Sequence, residues 1–231
     1  MTTSGTYAFN PSLGELTLYA FNVAGLRNTS LVQEHFQSAR MAANLMCASW
    51  SNQGVNLWKV DLVEEPLIAG QSVYDVDPAT VVMLDAYIRI TEGQAQPIDR
   101  VILPIGRSEY AAYPNKDQQG FTTTFWFDRL LEPKVYLWPV PDGVSAQYLR
   151  YYRLRRIEDA NLPNNETVDI PYLWMEAFAD GLAYRLAKIW NPAVAPALKG
   201  VADESYQIAA NQNIETANTY ISPQVVGYYR P

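Results

Sequence analysis

An α+β fold is predicted for this chain on three observations: apolar residues at helical spacing near its start, the same spacing beyond about residue 171, and β-branched and aromatic runs bounded by turn formers between them. At 231 residues, 48% hydrophobic and only 18% charged, the chain makes one large or two small globular domains. Its 17 basic and 24 acidic residues give a formal charge of −7, which argues against gripping nucleic acid by phosphate neutralisation. An acidic protein can still surround DNA without holding it.

In order, Asn10 and Pro11 read as the cap and first turn of a helix whose face is Leu13, Leu16, Tyr19 or Ala20, and Val23, with Gly25 as its end. Ser30 and Gln33 have capping-box spacing, and Val32, Phe36, Ala39, Ala43, Met46 and Trp50 then recur every three or four residues as a second helix. His35, Met41, Met46 and Cys47 are read there as packing and surface rather than as ligands. The sheet is expected to begin at Leu57–Val63, to turn at Gly70, and to include a central strand over Val81–Ile90 and another over Ile98–Ile105, where Pro104 suits a strand end or edge.

Residues 108 to 120 are polar, with a helical turn at Tyr110–Tyr113 and an exposed loop at Asn115–Gly120. Thr122–Phe127 and Lys134–Trp138 predict a hairpin joined through Leu130-Leu131-Glu132-Pro133, and Gln147–Arg156 a third strand on which neither face is plainly apolar. Asp169 reads as a cap and Pro171 as the first turn of a helix with Leu173, Trp174, Ala177, Phe178, Gly181, Leu182, Leu186 and Ile189 or Trp190 on its face. Gly181 there permits close approach of another helix. A last helix is expected from about Ala195 to Ala217 with the stripe Leu198, Val201, Ser205, Ile208 and Gln212.

Little in the sequence points to catalysis. Cys47 and His35 are the only residues of their kinds, which excludes an intrachain disulfide and a thiolate or imidazole zinc cluster, so no metal or cofactor is expected. The strongest enzymatic candidate is Asp128 with Glu132 or Asp142 beside Trp126 and Trp138, a glycan-binding or glycan-cleaving arrangement; Asp128-Arg129 as an ion pair fixing the hairpin is the simpler reading. The run Arg150-Tyr151-Tyr152-Arg153-Leu154-Arg155-Arg156 could stack bases and bind phosphates, but reads more simply as a strand whose arginines meet acids on a neighbour. No run of 18 or more apolar residues and no signal core is present, so the chain is expected to be made in the cytosol, away from membranes. The 16 tyrosines, 6 tryptophans and 15 prolines suit rigid contact surfaces. The end, Asn218 to Pro231, holds Tyr220, Ile221, Val225, Val226, Tyr228 and Tyr229 with Arg230 as its one charge. That segment either folds back on its own domain or docks on a partner, as by adding a strand to an exposed edge.

Several separated motifs carry a resemblance. Phe125-Trp126-Phe127-Asp128-Arg129, Pro133 and Tyr136-Leu137-Trp138-Pro139-Val140-Pro141-Asp142 are joined by Trp50 to Trp58, Leu67 to Tyr74, and Ser108, Tyr110, Asn115, Lys116 and Gly120. Asp169-Ile170-Pro171 and Gly181 to Ala187 complete the set, in order, over about Ser30 to Ile214. The chain thereby resembles the head-to-tail adaptor (head-completion, packaged-DNA stabilisation or tail accessory factor) proteins of short-tailed bacteriophages. It departs from them at Phe121-Thr122, where many members have a proline soon after the glycine.

The resemblance implies N- and C-terminal helices (1–54 and 169–217) packed as a bundle, an inserted antiparallel β-domain (55–168) and an extended C-terminal tail (218–231). It implies a virion protein at the head-tail junction and a closed ring of roughly twelve copies built on a heterologous interface. That ring would dock under the portal, extend the DNA channel, help retain packaged DNA and offer a surface to the tail nozzle. Tyr220, Ile221, Val225, Val226, Tyr228, Tyr229 and Arg230 are the expected portal contacts, and Asn115, Lys116, Asp117, Gln118, Leu130 and Leu131 the expected nozzle contacts. Double-stranded DNA would pass an acidic lumen without sequence-specific binding.

Overall fold

The computed structural model describes residues 3–54, 57–91, 96–161 and 166–213. Over those residues the chain is mixed α+β, with five α-helices and one curled seven-stranded sheet. Helix α1 (Leu13–Val23) starts two residues later than Asn10 would suggest. Ser12 is the better cap because its hydroxyl accepts from Glu15 N–H at 3.3 Å while Glu15 Oε2 accepts from Ser12 N–H at 2.8 Å. The helix closes at Gly25, whose φ of +85° lets Leu26 N–H reach Phe21 O at 2.9 Å and Gly25 N–H reach Asn22 O at 3.0 Å.

Helix α2 (Gln33–Ser51) follows a short 3₁₀ turn, Asn28–Ser30. Ser30 lies inside that turn, with its hydroxyl donating to Arg27 O, so it cannot cap α2. The imidazole of His35 accepts from Val32 N–H at 3.2 Å in its place. The opposite end of the chain supplies α4 (Met175–Trp190) and α5 (Ala195–Asn211). Helix α4 packs against α1, α2 and α5, and it buries Phe178, Leu182, Leu186 and four alanines. A Cβ added at Gly181 would lie 2.6 Å from Met46 Sδ, so the missing side chain sets the approach of α2 to α4.

The buried face of α5 is Ala195, Ala202 and Ala209, whereas Val201 and Ile208 are exposed. The larger apolar residues had suggested a different stripe; the small ones pack because they let the helix lie close. Trp50, Trp174 and Tyr206 form an aromatic cluster with centroid separations of 5.4 to 5.7 Å, joining α2, the 3₁₀ turn Tyr172–Trp174 and α5.

The strands are β1 (Val60–Pro66), β2 (Val73–Asp75), β3 (Thr80–Ile90), β4 (Ile98–Pro104), β5 (Thr124–Asp128), β6 (Lys134–Trp138) and β7 (Gln147–Arg155). Their order is β1-β7-β3-β4-β5-β6-β2. Leu57–Lys59 is a 3₁₀ turn, so the first strand begins at Val60. The expected hairpin β5–β6 forms, with Trp126 opposite Tyr136. The sheet is not wholly antiparallel: β4 and β5 run parallel through Leu103 with Thr124 and Pro104 with Phe125. Helix α3 (Arg107–Ala112) and the loop after it supply the crossover that a parallel pair requires. Strand β7 returns between β1 and β3, away from the hairpin. Two irregularities on β3 let eleven residues pair with nine, and the buried positions of β7 change phase from Gln147, Leu149 and Tyr151 to Leu154. That shift is why neither face of β7 reads as apolar.

Two main apolar clusters result. One gathers α1, α2, α4 and Ala209 with Ile157, Ala160 and Ile170; the other is the sheet's own, around Ile88, Ile102, Phe125, Val135, Leu137 and Leu149. Asn44 holds the chain beyond β7 to α2, accepting from Ala160 N–H at 3.0 Å and donating to Ala160 O at 3.2 Å.

Candidate interaction surfaces

Strand β7 sits between two acid-bearing neighbours, and its arginines face them. Arg150 Nε lies 2.9 Å from Glu64; Arg153 reaches Asp61 and Asp77, each at 2.8 Å, and donates to Thr80 Oγ1 at 3.1 Å. Arg155 makes a two-pronged pair with Asp169, one arm of it 2.9 Å long. The hydrogen bonds that Arg153 donates to Asp61 and Asp77 hold it more firmly protonated than a free guanidinium, against the opposing effect of burial. These three cations are therefore matched within the chain, as a structural strand requires. Asp169 is thus an ion-pair partner and not a helix cap: its carboxylate also accepts from Glu158 N–H, and the helical start falls to the 3₁₀ turn at Tyr172.

The tryptophans of the hairpin do not line an open cleft with acids. Trp126 stacks on Tyr136 at 4.5 Å, and Trp138 stacks on Tyr113 at 4.0 Å and donates its indole N–H to Asn115 O at 3.0 Å. Tyr110 of α3 lies within 5.4 Å of both Trp126 and Tyr136. The small helix covers this face of the hairpin, so an aromatic platform for sugar rings is already occupied by the chain's own rings. No ion pair joins Asp128 and Arg129; Lys134, opposite Asp128 in the ladder, pairs with Asp75 at 3.2 Å.

The two loops singled out in the sequence lie at opposite ends of the hairpin. Asn115–Gln118 is fixed beside Trp138: Lys116 Nζ donates to Ala111 O and Tyr113 O at the end of α3, Asn115 Oδ1 accepts from Asp117 N–H at 3.1 Å, and Gln118 O accepts from Val140 N–H at 2.9 Å. Leu130 and Leu131 sit at the far end, beyond Asp128 and Lys134, and Leu131 is 98% exposed. One strand of five residues separates them, about 15 Å. Tyr220, Ile221, Val225, Val226, Tyr228, Tyr229 and Arg230 lie outside the described residues.

Sequence reasoning missed two apolar hollows on the helices. One, of about 840 Å³, opens between α1, the 3₁₀ turn and α5; its rim carries exposed Phe9, Tyr19, Tyr172, Leu173 and Ile208. The other, of about 460 Å³, lies between α2 and α4 and carries exposed Met41, Leu45 and Ile189. Met41 and Leu45 fall outside the core stripe of α2, which was the available signal, whereas Ile189, expected as an alternative on the buried face of its helix, is exposed. Among the described residues no group of three His, Cys, Asp or Glu side chains is disposed to hold a metal ion, and no helix is long and apolar enough to cross a membrane.

A surface whose strand cations are matched internally, whose hairpin tryptophans are stacked under a helix, and which carries two apolar hollows fits a structural, contact-making protein. The family model described as SU10 adaptor protein matches residues 31–227, and the chain belongs to that family. It is accordingly a phage structural adaptor protein and a component of the virion. Among curated proteins nothing matches the chain.

Proposed function

We propose that this chain is the head-to-tail adaptor of a short-tailed phage. Copies form a closed ring, roughly twelve-fold, in which unlike faces of neighbouring subunits meet. The ring docks under the portal, extends the DNA channel, helps retain the packaged genome and presents an attachment surface to the tail nozzle. The helical residues 1–54 and 169–217 act as one body, and 55–168 as a β-region carrying the loops. Asn218 to Pro231 forms an extended tail that anchors on the portal through Tyr220, Ile221, Val225, Val226, Tyr228, Tyr229 and Arg230. Asn115–Gln118 and Leu130–Leu131, at two ends of one hairpin, serve as separate contacts for the nozzle.

The observation that carries this reading is the internal matching of Arg150, Arg153 and Arg155 in a chain of net charge −7 that belongs to an adaptor family. Such a subunit has little to offer phosphates, so DNA passes along the channel without adhering. The test is the mass of the purified chain, alone and mixed with portal rings of the same phage, repeated after deletion of 218–231. Ring-sized assembly on the portal that disappears with the tail is the expected result. A chain that ignores the portal in every form would overturn the reading.

A further inference from the structure

We infer that the two apolar hollows on the helices are the two halves of one interface between copies of this chain, the α2–α4 patch of one subunit lying against the α1–α5 groove of the next. The inference rests on the ring reading above and names the surfaces that close it. Three observations support it. First, α4 contributes to both hollows from different sides: Glu176 lines the larger and Arg185 the smaller, nine positions apart, which is about half a turn around a helix. Unlike patches on nearly opposite sides of a subunit are what a closed heterologous ring needs.

Second, the charges are complementary. The larger groove is rimmed by Glu176 and Asp180, and the smaller by Arg185 and Lys188. Among the described residues none of these four enters a salt bridge, whereas the arginines of β7 all do. Third, each hollow is lined by large exposed apolar side chains, Leu173 and Ile208 in the larger and Met41 and Leu45 in the smaller, with the charged residues beside them. Apolar side chains flanked by charges suit a protein–protein contact, in which the desolvated apolar groups supply affinity and the charges set register.

The test uses the full-length chain with portal rings of the same phage, and follows bound copies per portal against chain concentration. Glu176→Lys and Lys188→Glu, both at exposed positions, each shift half-assembly to about tenfold higher concentration, and the double variant Glu176→Lys/Lys188→Glu returns to within about threefold of the parent. Leu45→Asp and Leu173→Asp each abolish multi-copy assembly without changing the melting temperature of the free subunit. If the parent chain fills the portal ring and all these variants do so equally well, the assigned surfaces are wrong while the adaptor reading stands. If the parent never gathers on the portal, the ring reading itself falls. Faster amide exchange at Tyr172–Glu176 in the free subunit after deletion of 214–231 would show that the chain's own end fills the groove, and would overturn the inference.

Discussion

Arg155 at the end of β7 and Asp169 at the approach to α4 form a two-pronged ion pair that ties the sheet to the helices. Both side chains are about one-fifth exposed, so water screens them only partly. Removing one partner leaves a half-buried charge, and Arg155→Ala or Asp169→Ala is expected to destabilise the fold by about 2 kcal/mol, with the pairwise part recovered in a double-mutant cycle. Urea denaturation of the four forms measures it.

Acid should weaken the same joint. Burial pushes the Asp169 carboxyl up, but the hydrogen bonds from Arg155 and from Glu158 N–H outweigh it and hold it below the usual range. Asp77 is lowered by Ala79 N–H and then by Arg153, and Asp99 by Arg89. Carboxyls lowered in the folded state bind fewer protons there than in the unfolded chain. Their stabilisation is therefore present above about pH 4, the unfolded carboxylate range, and is lost as the pH falls below it. Melting temperatures between pH 7 and pH 3 should fall in that window, and less steeply for Asp169→Asn.

Overfilling the α2–α4 contact should be reversible from the other side. A valine at Gly181 would collide with Met46, whose sulfur already lies 2.6 Å from the position of a Cβ. Gly181→Val is expected to cost about 2 kcal/mol, and Met46→Ala in the same chain to restore part of it, because the removed side chain vacates the space the valine needs. Chemical denaturation of the single and double variants reports the coupling.

Cys47 offers a probe of opening. It is buried in the helical core, and burial above all pushes its thiol up to about 11, with Asp169 adding and Lys59 opposing. The thiolate is the reactive form, so at pH 8 a disulfide reagent should modify the native chain far more slowly than the urea-unfolded one. Arg155→Ala should raise the native rate in proportion to its loss of stability. Equal rates in native and unfolded chain would contradict the burial.

The helices were legible because their apolar spacing is local. Ala39, Ala43, Met46 and Trp50, or Phe178, Leu182 and Leu186, announce a buried face whatever it packs on. The β5–β6 hairpin was legible for the same reason, its partners lying between six and fourteen residues apart across one short turn. The placement of β7 beside β1 and β3, and the parallel contact of β4 with β5, are set by pairings between distant segments that leave no local pattern. Asp169 looked like a cap because Asp before Pro favours one; its actual partner lies fourteen residues back. The alanine face of α5 was hidden behind larger exposed residues, and the two hollows were overlooked because Met41 read as packing or surface and Leu173 as part of a buried helix face. The internal pairing of the β7 arginines, by contrast, could be anticipated from the acids of β1.

The row Ala195, Ala202 and Ala209 has a mechanical consequence. Three small residues, one every seven positions, set how far α5 stands from its neighbours along its whole length, and at 17 residues that length is about 25 Å. A rod so seated tilts when one of the three is enlarged. Enlarging Ala202 by two carbons would tilt it by a few degrees and swing Asn211 by about 2 Å, on the scale of a helix's rise per residue. The alanines thus gauge where the far end of α5 stands, and a change of a few atoms in the middle of the helix would re-aim that end.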